Sequence, residues 1–148
     1  MTTTSRMRLS TTRVVAVVCL LFAASCATGG DFECPEGMNA FFELNVYFGQ
    51  EKGNGETVSE EEWQAFLANA VTPRFPDGLT VLDARGQWFD TDNGRLYRES
   101  TKLLNVLVPV DSASSSVSAV RDLSDIYKEQ FDQQAVFHTT SPACAEVY

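Results

Sequence analysis

Eleven apolar residues, Val14 to Ala24, stand behind Arg6, Arg8 and Arg13 and run into the small residues Ala23-Ala24-Ser25. This decides which part of the chain is left to fold, and in what compartment. A membrane-spanning helix needs roughly 20 apolar residues, so eleven behind a basic segment read as a cleavable export signal rather than a permanent span. Removing residues 1–25 leaves about 123 residues, enough for one domain with a sizeable core and too few for two.

Cys26 follows the small residues directly and resembles the lipobox cysteine of a bacterial lipoprotein, with Ala23 where leucine is more usual. On that reading Cys26 is the lipidated first residue of the mature chain, and its lipid is the contact with the membrane. The competing reading is ordinary cleavage near Ser25. Residues 26–37 form the lipidated terminus and a short polar tether, and residues 38–148 a single domain. The expected location is the bacterial cell envelope, facing the periplasm or the cell exterior.

Cys19 is discarded with the signal and Cys26 carries lipid, which leaves Cys34 and Cys144. In an oxidising compartment these two pair, joining the ends of the folded region. Without a CxxC spacing or a neighbouring histidine, a metal or redox role for them is disfavoured. Cleavage removes three arginines and no acidic group, taking the formal charge from −9 to about −12. Such a field repels nucleic acid and anionic lipid head groups and disfavours both as partners; no nucleic-acid partner is expected. Glu60-Glu61-Glu62 is the one acidic run, and it complements the dipole at a helix start.

Residues 41–48 alternate, placing Phe42, Leu44, Val46 and Phe48 on one face of a strand and Phe41, Glu43, Asn45 and Tyr47 on the other. Ser59 with Glu62 has the spacing of a capping box, and Trp63, Phe66, Leu67, Ala70 and Val71 then fall on one helical stripe that Pro73 stops. Leu79 to Phe89 and Arg95 to Val110 read as strands joined through Asp92-Asn93-Gly94, where Asn-Gly suits the positive backbone angles of a tight hairpin. Asp111 or Ser112 caps a second helix bearing Val117, Val120, Leu123, Tyr127 and Phe131. A last strand spans about 135–139, with a continuation past Pro142 towards Val147. The order βαββαβ is the ferredoxin-like split arrangement, an α+β fold with two helices on one face of a four-stranded antiparallel sheet. That topology sets the first and last strands side by side, which independently brings Cys34 and Cys144 to one end.

The segment Glu43-Leu44-Asn45-Val46-Tyr47-Phe48-Gly49, Trp63, the run from Thr72-Pro73-Arg74-Phe75-Pro76-Asp77-Gly78 through Leu79 to Trp88, and Glu99-Ser100-Thr101-Lys102 resemble a group of exported bacterial proteins, domain of unknown function 3574. The resemblance covers almost the whole mature domain. It implies small secreted or lipid-anchored proteins and carries no established activity.

Motifs of known chemistry are missing: there is no GxSxG, HExxH, phosphate-binding glycine loop or CxxC pair. His138 is the only histidine, so one subunit can build neither a multi-histidine metal site nor a histidine relay. Asp90-Thr91-Asp92-Asn93-Gly94 places its glycine one residue early for a calcium loop, and the twelfth position is Thr101. No metal and no cofactor is expected.

What the fold brings together is the sheet face away from the helices, with Glu43, Asn45 and Tyr47 beside Leu103, Asn105 and Leu107. Apolar side chains on such a face call for a partner or a ligand: a homodimer, another envelope protein or a small molecule. Arg74, Arg85, Trp88, Tyr97 and Arg98 form a second candidate group, in which Arg85 and Trp88 suit an anion and a ring, although cross-strand packing is the commoner use of such a tryptophan. The preferred reading is a non-catalytic, envelope-anchored binding domain. The alternative, resting on fold analogy, is a small dimeric enzyme resembling the ferredoxin-like monooxygenases, with Tyr47, Asn45 and Asn105 contacting substrate in a closed cavity.

Overall fold

The computed structural model describes residues 32–146. The signal segment, Cys26, the first part of the tether and Val147 lie outside the described residues. Among those described, no helix is long and apolar enough to cross a membrane.

β1 (Asn39–Gly49) follows the two-residue period of its sequence: Leu44, Val46 and Phe48 are buried while Glu43, Asn45 and Tyr47 are half-buried on the other side. α1 (Glu60–Phe66) starts at a complete capping box. The Glu62 amide donates to Ser59 Oγ at 3.2 Å, and the Ser59 amide donates to Glu62 Oε2 at 2.8 Å. The predicted stripe is continuous, yet its second half, Leu67–Val71, is wound as a π-helical turn with the Thr72 amide donating to the Leu67 carbonyl. The wider turn keeps Val71 fully buried while the chain swings out towards Pro73.

β2 (Thr80–Asp90) and β3 (Arg95–Pro109) pair antiparallel from Asp90↔Arg95 to Thr80↔Asn105. Their turn departs from the expected Asn-Gly geometry. Gly94 has φ of +68° and Asn93 is not left-handed, because the Asp90 carboxylate takes the Asp92 amide at 2.9 Å and the Gly94 amide closes onto the Asp90 carbonyl. A short 3₁₀ turn, Val110–Ser112, leads into α2 (Ala113–Phe131), whose Ser112 makes no side-chain cap. β4 (Phe137–Ala145) runs straight through Pro142. Lying at the sheet edge, it tolerates a residue without an N–H.

The strand order is β2-β3-β1-β4, all neighbours antiparallel, the ferredoxin-like α+β arrangement. The core fills the space between sheet and helices: Leu44, Val46, Phe48, Leu104, Val106 and Val108 meet Trp63, Phe66, Val71, Val120, Leu123, Tyr127 and Phe131. At its centre the Phe48 ring lies 4.7 to 5.5 Å from those of Trp63, Phe66 and Tyr127. Tyr127 brings a hydroxyl into this cluster and satisfies it, donating to the Gly49 carbonyl at 2.8 Å and accepting from Gln50 Nε2 at 2.8 Å. Burial pushes its pKa up. Cys34 and Cys144 are disulfide-bonded with Cα atoms 5.6 Å apart, 110 residues apart in sequence.

A crosslink over so long a loop is worth at most about 4 to 5 kcal/mol in the chain-entropy model. Cys34→Ser is expected to lower the unfolding free energy by about 2 to 4 kcal/mol in urea denaturation. A second expectation concerns acid. The Lys52 ammonium, donating to Glu62 Oε1 at 2.7 Å, and the Ser59 amide hold the Glu62 carboxyl down at about 2, from an ordinary 4.5. Because the folded value is the lower one, this contribution is complete above pH 4.5 and drains as pH falls towards about 2. Glu62→Gln should therefore lose less stability than the parent over that interval, as read by urea midpoints at a series of pH values.

Candidate functional site

The outer face of the sheet is organised as rungs, because antiparallel register sets one residue of each strand beside its neighbours. One rung reads Leu82, Leu103, Tyr47, Phe137 across all four strands and is apolar. The next reads Thr80, Asn105, Asn45, Thr139 and is polar. A third carries Leu107, Glu43 and Ser141. All six residues expected on this face, Glu43, Asn45, Tyr47, Leu103, Asn105 and Leu107, therefore fall in three adjacent rungs.

The polar centre is a closed network. Asn105 Nδ2 donates to Glu43 Oε1 at 2.7 Å and to Asn45 Oδ1 at 2.9 Å, and Ser141 Oγ donates to Glu43 Oε2 at 3.2 Å. Both Glu43 oxygens are thus occupied by neutral donors, and the carboxylate serves as the acceptor of the network. Around it Leu82 is 47 %, Leu107 42 % and Phe137 65 % exposed, and Phe137 sits against Tyr47 with ring centroids 5.6 Å apart. Strand parity in the sequence could have added Leu82, Phe137 and Ser141 to the face once the strand order was known.

The second group does not converge. Trp88 and Tyr97 pair across β2 and β3 and stack, with centroids 4.6 Å apart and planes 9° from parallel. Arg85 and Arg98 lie at the opposite strand parity, on the helix side of the sheet, where Arg98 Nε donates to Gln87 Oε1 at 2.9 Å. Arg74 follows the π turn and donates from Nη1 to the Ala70 carbonyl at 2.8 Å, closing that turn. Alternation along a strand separates Arg85 from Trp88, and the helix end claims Arg74.

The stacked pair is instead one wall of a cleft of about 580 Å³ at the hairpin end of the outer face. Arg95 joins it, its guanidinium carbon 4.7 Å from the Tyr97 centroid. The rest of the lining comes from Glu51, Lys52, Gly53 and Gly55 in the loop after β1 and Asp132 to Ala135 in the loop before β4, with Glu99 of β3. Nothing in the local sequence announced Glu51, Glu99 or Asp132, since they are distant in the chain and meet only through the sheet order. Among the described residues no group of three histidine, cysteine, aspartate or glutamate side chains is placed to hold a metal ion.

Removing the donor at the centre of the network leaves Glu43 and Asn45 without their shared partner. Asn105→Ala is expected to cost about 1 kcal/mol, and a double-mutant cycle with Glu43→Ala to show coupling of about 0.5 to 1.5 kcal/mol. Additive effects in that cycle would show that the hydrogen bond is not held in solution.

Solved structures similar to this chain include a phage SAM lyase in complex with S-methyl-5'-thioadenosine, with TM-score 0.55, 14% identity, 79% of this chain and 95% of that chain covered. A phage SAM lyase in the apo state gives TM-score 0.51 at 17% identity, covering 79% of this chain and 98% of that one. At these identities the likeness is one of fold. No curated protein matches the chain. The family model that matches is described as a protein of unknown function, DUF3574, and it aligns to residues 43–147, from Glu43 of the outer-face network to the end of β4 and just beyond. The chain belongs to the DUF3574 family.

Proposed function

We propose that this chain works at the bacterial envelope as a lipid-anchored, non-catalytic binding domain, and that a second copy covers the outer face of its sheet. The observation that carries this reading is the face itself: an apolar rung of Leu82, Leu103, Tyr47 and Phe137 beside a polar rung whose neighbouring carboxylate, Glu43, is already taken by Asn105 and Ser141. A mature chain of about −12 repels its own kind over most of its surface. Another copy approaches best where charge is sparse and apolar area is exposed, and these three rungs meet both conditions. The cysteine after the signal segment supports the anchor, and the Cys34–Cys144 bond suits an oxidising compartment.

The enzyme reading calls for a closed cavity lined by Asn45, Tyr47 and Asn105. The cleft described above is lined by other residues, and the two asparagines are engaged with each other and with Glu43. The supported reading is therefore binding rather than turnover.

Two measurements test it. Light scattering on the mature domain without lipid should give a dimer that Leu107→Glu converts to a monomer with an unchanged circular dichroism spectrum; a parent that is monomeric at high concentration contradicts the self-association. Mass spectrometry of the mature N-terminus should find diacylglyceryl Cys26, and an unmodified Cys26 or a different first residue removes the anchor.

A further inference from the structure

The cleft at the hairpin end has a charge and shape that the sheet face does not share. We infer that it is a binding site for a small organic cation with a flat or apolar body, such as an aryl-alkyl amine or a quaternary ammonium compound. This inference does not depend on self-association through the three rungs.

Two built features point to that ligand. The first is the arrangement of carboxylates. Gly49 has no side chain, and the space is taken by Glu99: a Cβ there would stand 2.5 Å from one Glu99 carboxylate oxygen and 3.1 Å from the other. Gly53 does the same for Asp132, whose carboxylate and carbonyl occupy the place of a Gly53 side chain. Asp132 ends α2 in the left-handed conformation, φ 52°, with its amide donating to the Lys128 carbonyl. The two glycines thus let two acids settle against the backbone of the cleft, and Glu51 adds a third. None of the three has an ion-pair partner among the described residues. Of the two basic residues in the lining, Lys52 is bound to Glu62 at 2.7 Å, which leaves Arg95. Three carboxylates against one guanidinium, which has no ion pair among the described residues, in a strongly acidic chain, select a cation over an anion.

The second feature is the aromatic wall. Trp88 lies flat on Tyr97 and remains 44 % exposed. An indole face beside carboxylates attracts a cation through the ring quadrupole and covers its apolar body, which a hydrated metal ion would not use. Arg95 already sits over Tyr97 in this manner, so the wall holds a cationic group in the structure as it stands. The volume, about 580 Å³, is that of a small-molecule site.

The two tryptophans make the test direct. Trp63 is 1 % exposed, so ligand-dependent fluorescence quenching reports Trp88. Titrate the mature protein with phenethylammonium and benzyltrimethylammonium, with neutral 2-phenylethanol and anionic phenylacetate as isosteres, and confirm each Kd by calorimetry. The expected result is saturable binding of both cations tighter than about 1 mM, preference over the isosteres, and weakening with added salt. Glu99→Gln and Asp132→Asn, which keep side-chain shape, should each weaken the cations by about threefold to tenfold, and Trp88→Ala by more, while Arg74→Ala leaves them unchanged. Near-UV circular dichroism of the Trp63 cluster checks the fold of each variant. Binding of the neutral isosteres as tight as the cations, or cation affinities indifferent to Glu99→Gln and Asp132→Asn, would overturn the inference.

Discussion

Everything in this domain depends on the two-residue period of β1. The strand is bordered by β3 on one side and β4 on the other, so each of its side chains is committed either to the core or to the outer face. Leu44, Val46 and Phe48 go to the core and nucleate the cluster with Trp63, Phe66 and Tyr127; Glu43, Asn45 and Tyr47 go outward and set the three rungs. A slip of one residue would bury Glu43 and expose Phe48. The disulfide bears on the same register from outside: Cys144 lies in β4 opposite Ala40, and Cys34 precedes β1, so the bond ties down the end at which the two strands begin to pair.

Polar groups inside or beside this frame are satisfied locally. Among the described residues no buried side-chain nitrogen or oxygen lacks a partner. Gln50 is buried and spends its amide on Tyr127 and the Phe48 carbonyl; Lys102 reaches from β3 to Glu60 at the start of α1 and to Asp83 of β2, at 2.8 and 2.7 Å. Those bonds join strand to helix and strand to strand, so the scaffold that presents the outer face is stiff. The β2–β3 hairpin is different. Its tip extends past the helices, and Phe89 and Leu96 on the helix side are 59 % and 38 % exposed.

Much of this was legible in the amino-acid order, because the signals were periodic and local. Alternation gave β1, the stripe from Trp63 to Val71 gave the first helix, and the capping box placed its start. Cys34 and Cys144 followed from counting. The parts that stayed hidden were decided by tertiary context. Leu67–Val71 winds as a π turn because the core claims Val71, and the helical stripe alone does not distinguish that from an α-helix. Arg85 and Trp88 are three apart and so occupy opposite faces, which splits a group that looked contiguous. The acid side of the cleft needed three segments, around residues 51, 99 and 132, brought together by the completed fold. The fold itself is shared with a phage SAM lyase at 14% identity, and fold at that distance carries no chemistry with it.

The proposal that a second copy covers the outer face at the envelope can be checked by hydroxyl-radical footprinting. Labelling should be compared between intact membranes and the dilute, lipid-free domain. Tyr47, Leu82, Leu103, Leu107 and Phe137 should be labelled in the dilute domain and protected in the envelope, while Phe89 and Leu96, at the hairpin tip on the other side of the sheet, are labelled in both. Equal labelling of the outer face in the two preparations would show that no second copy covers it.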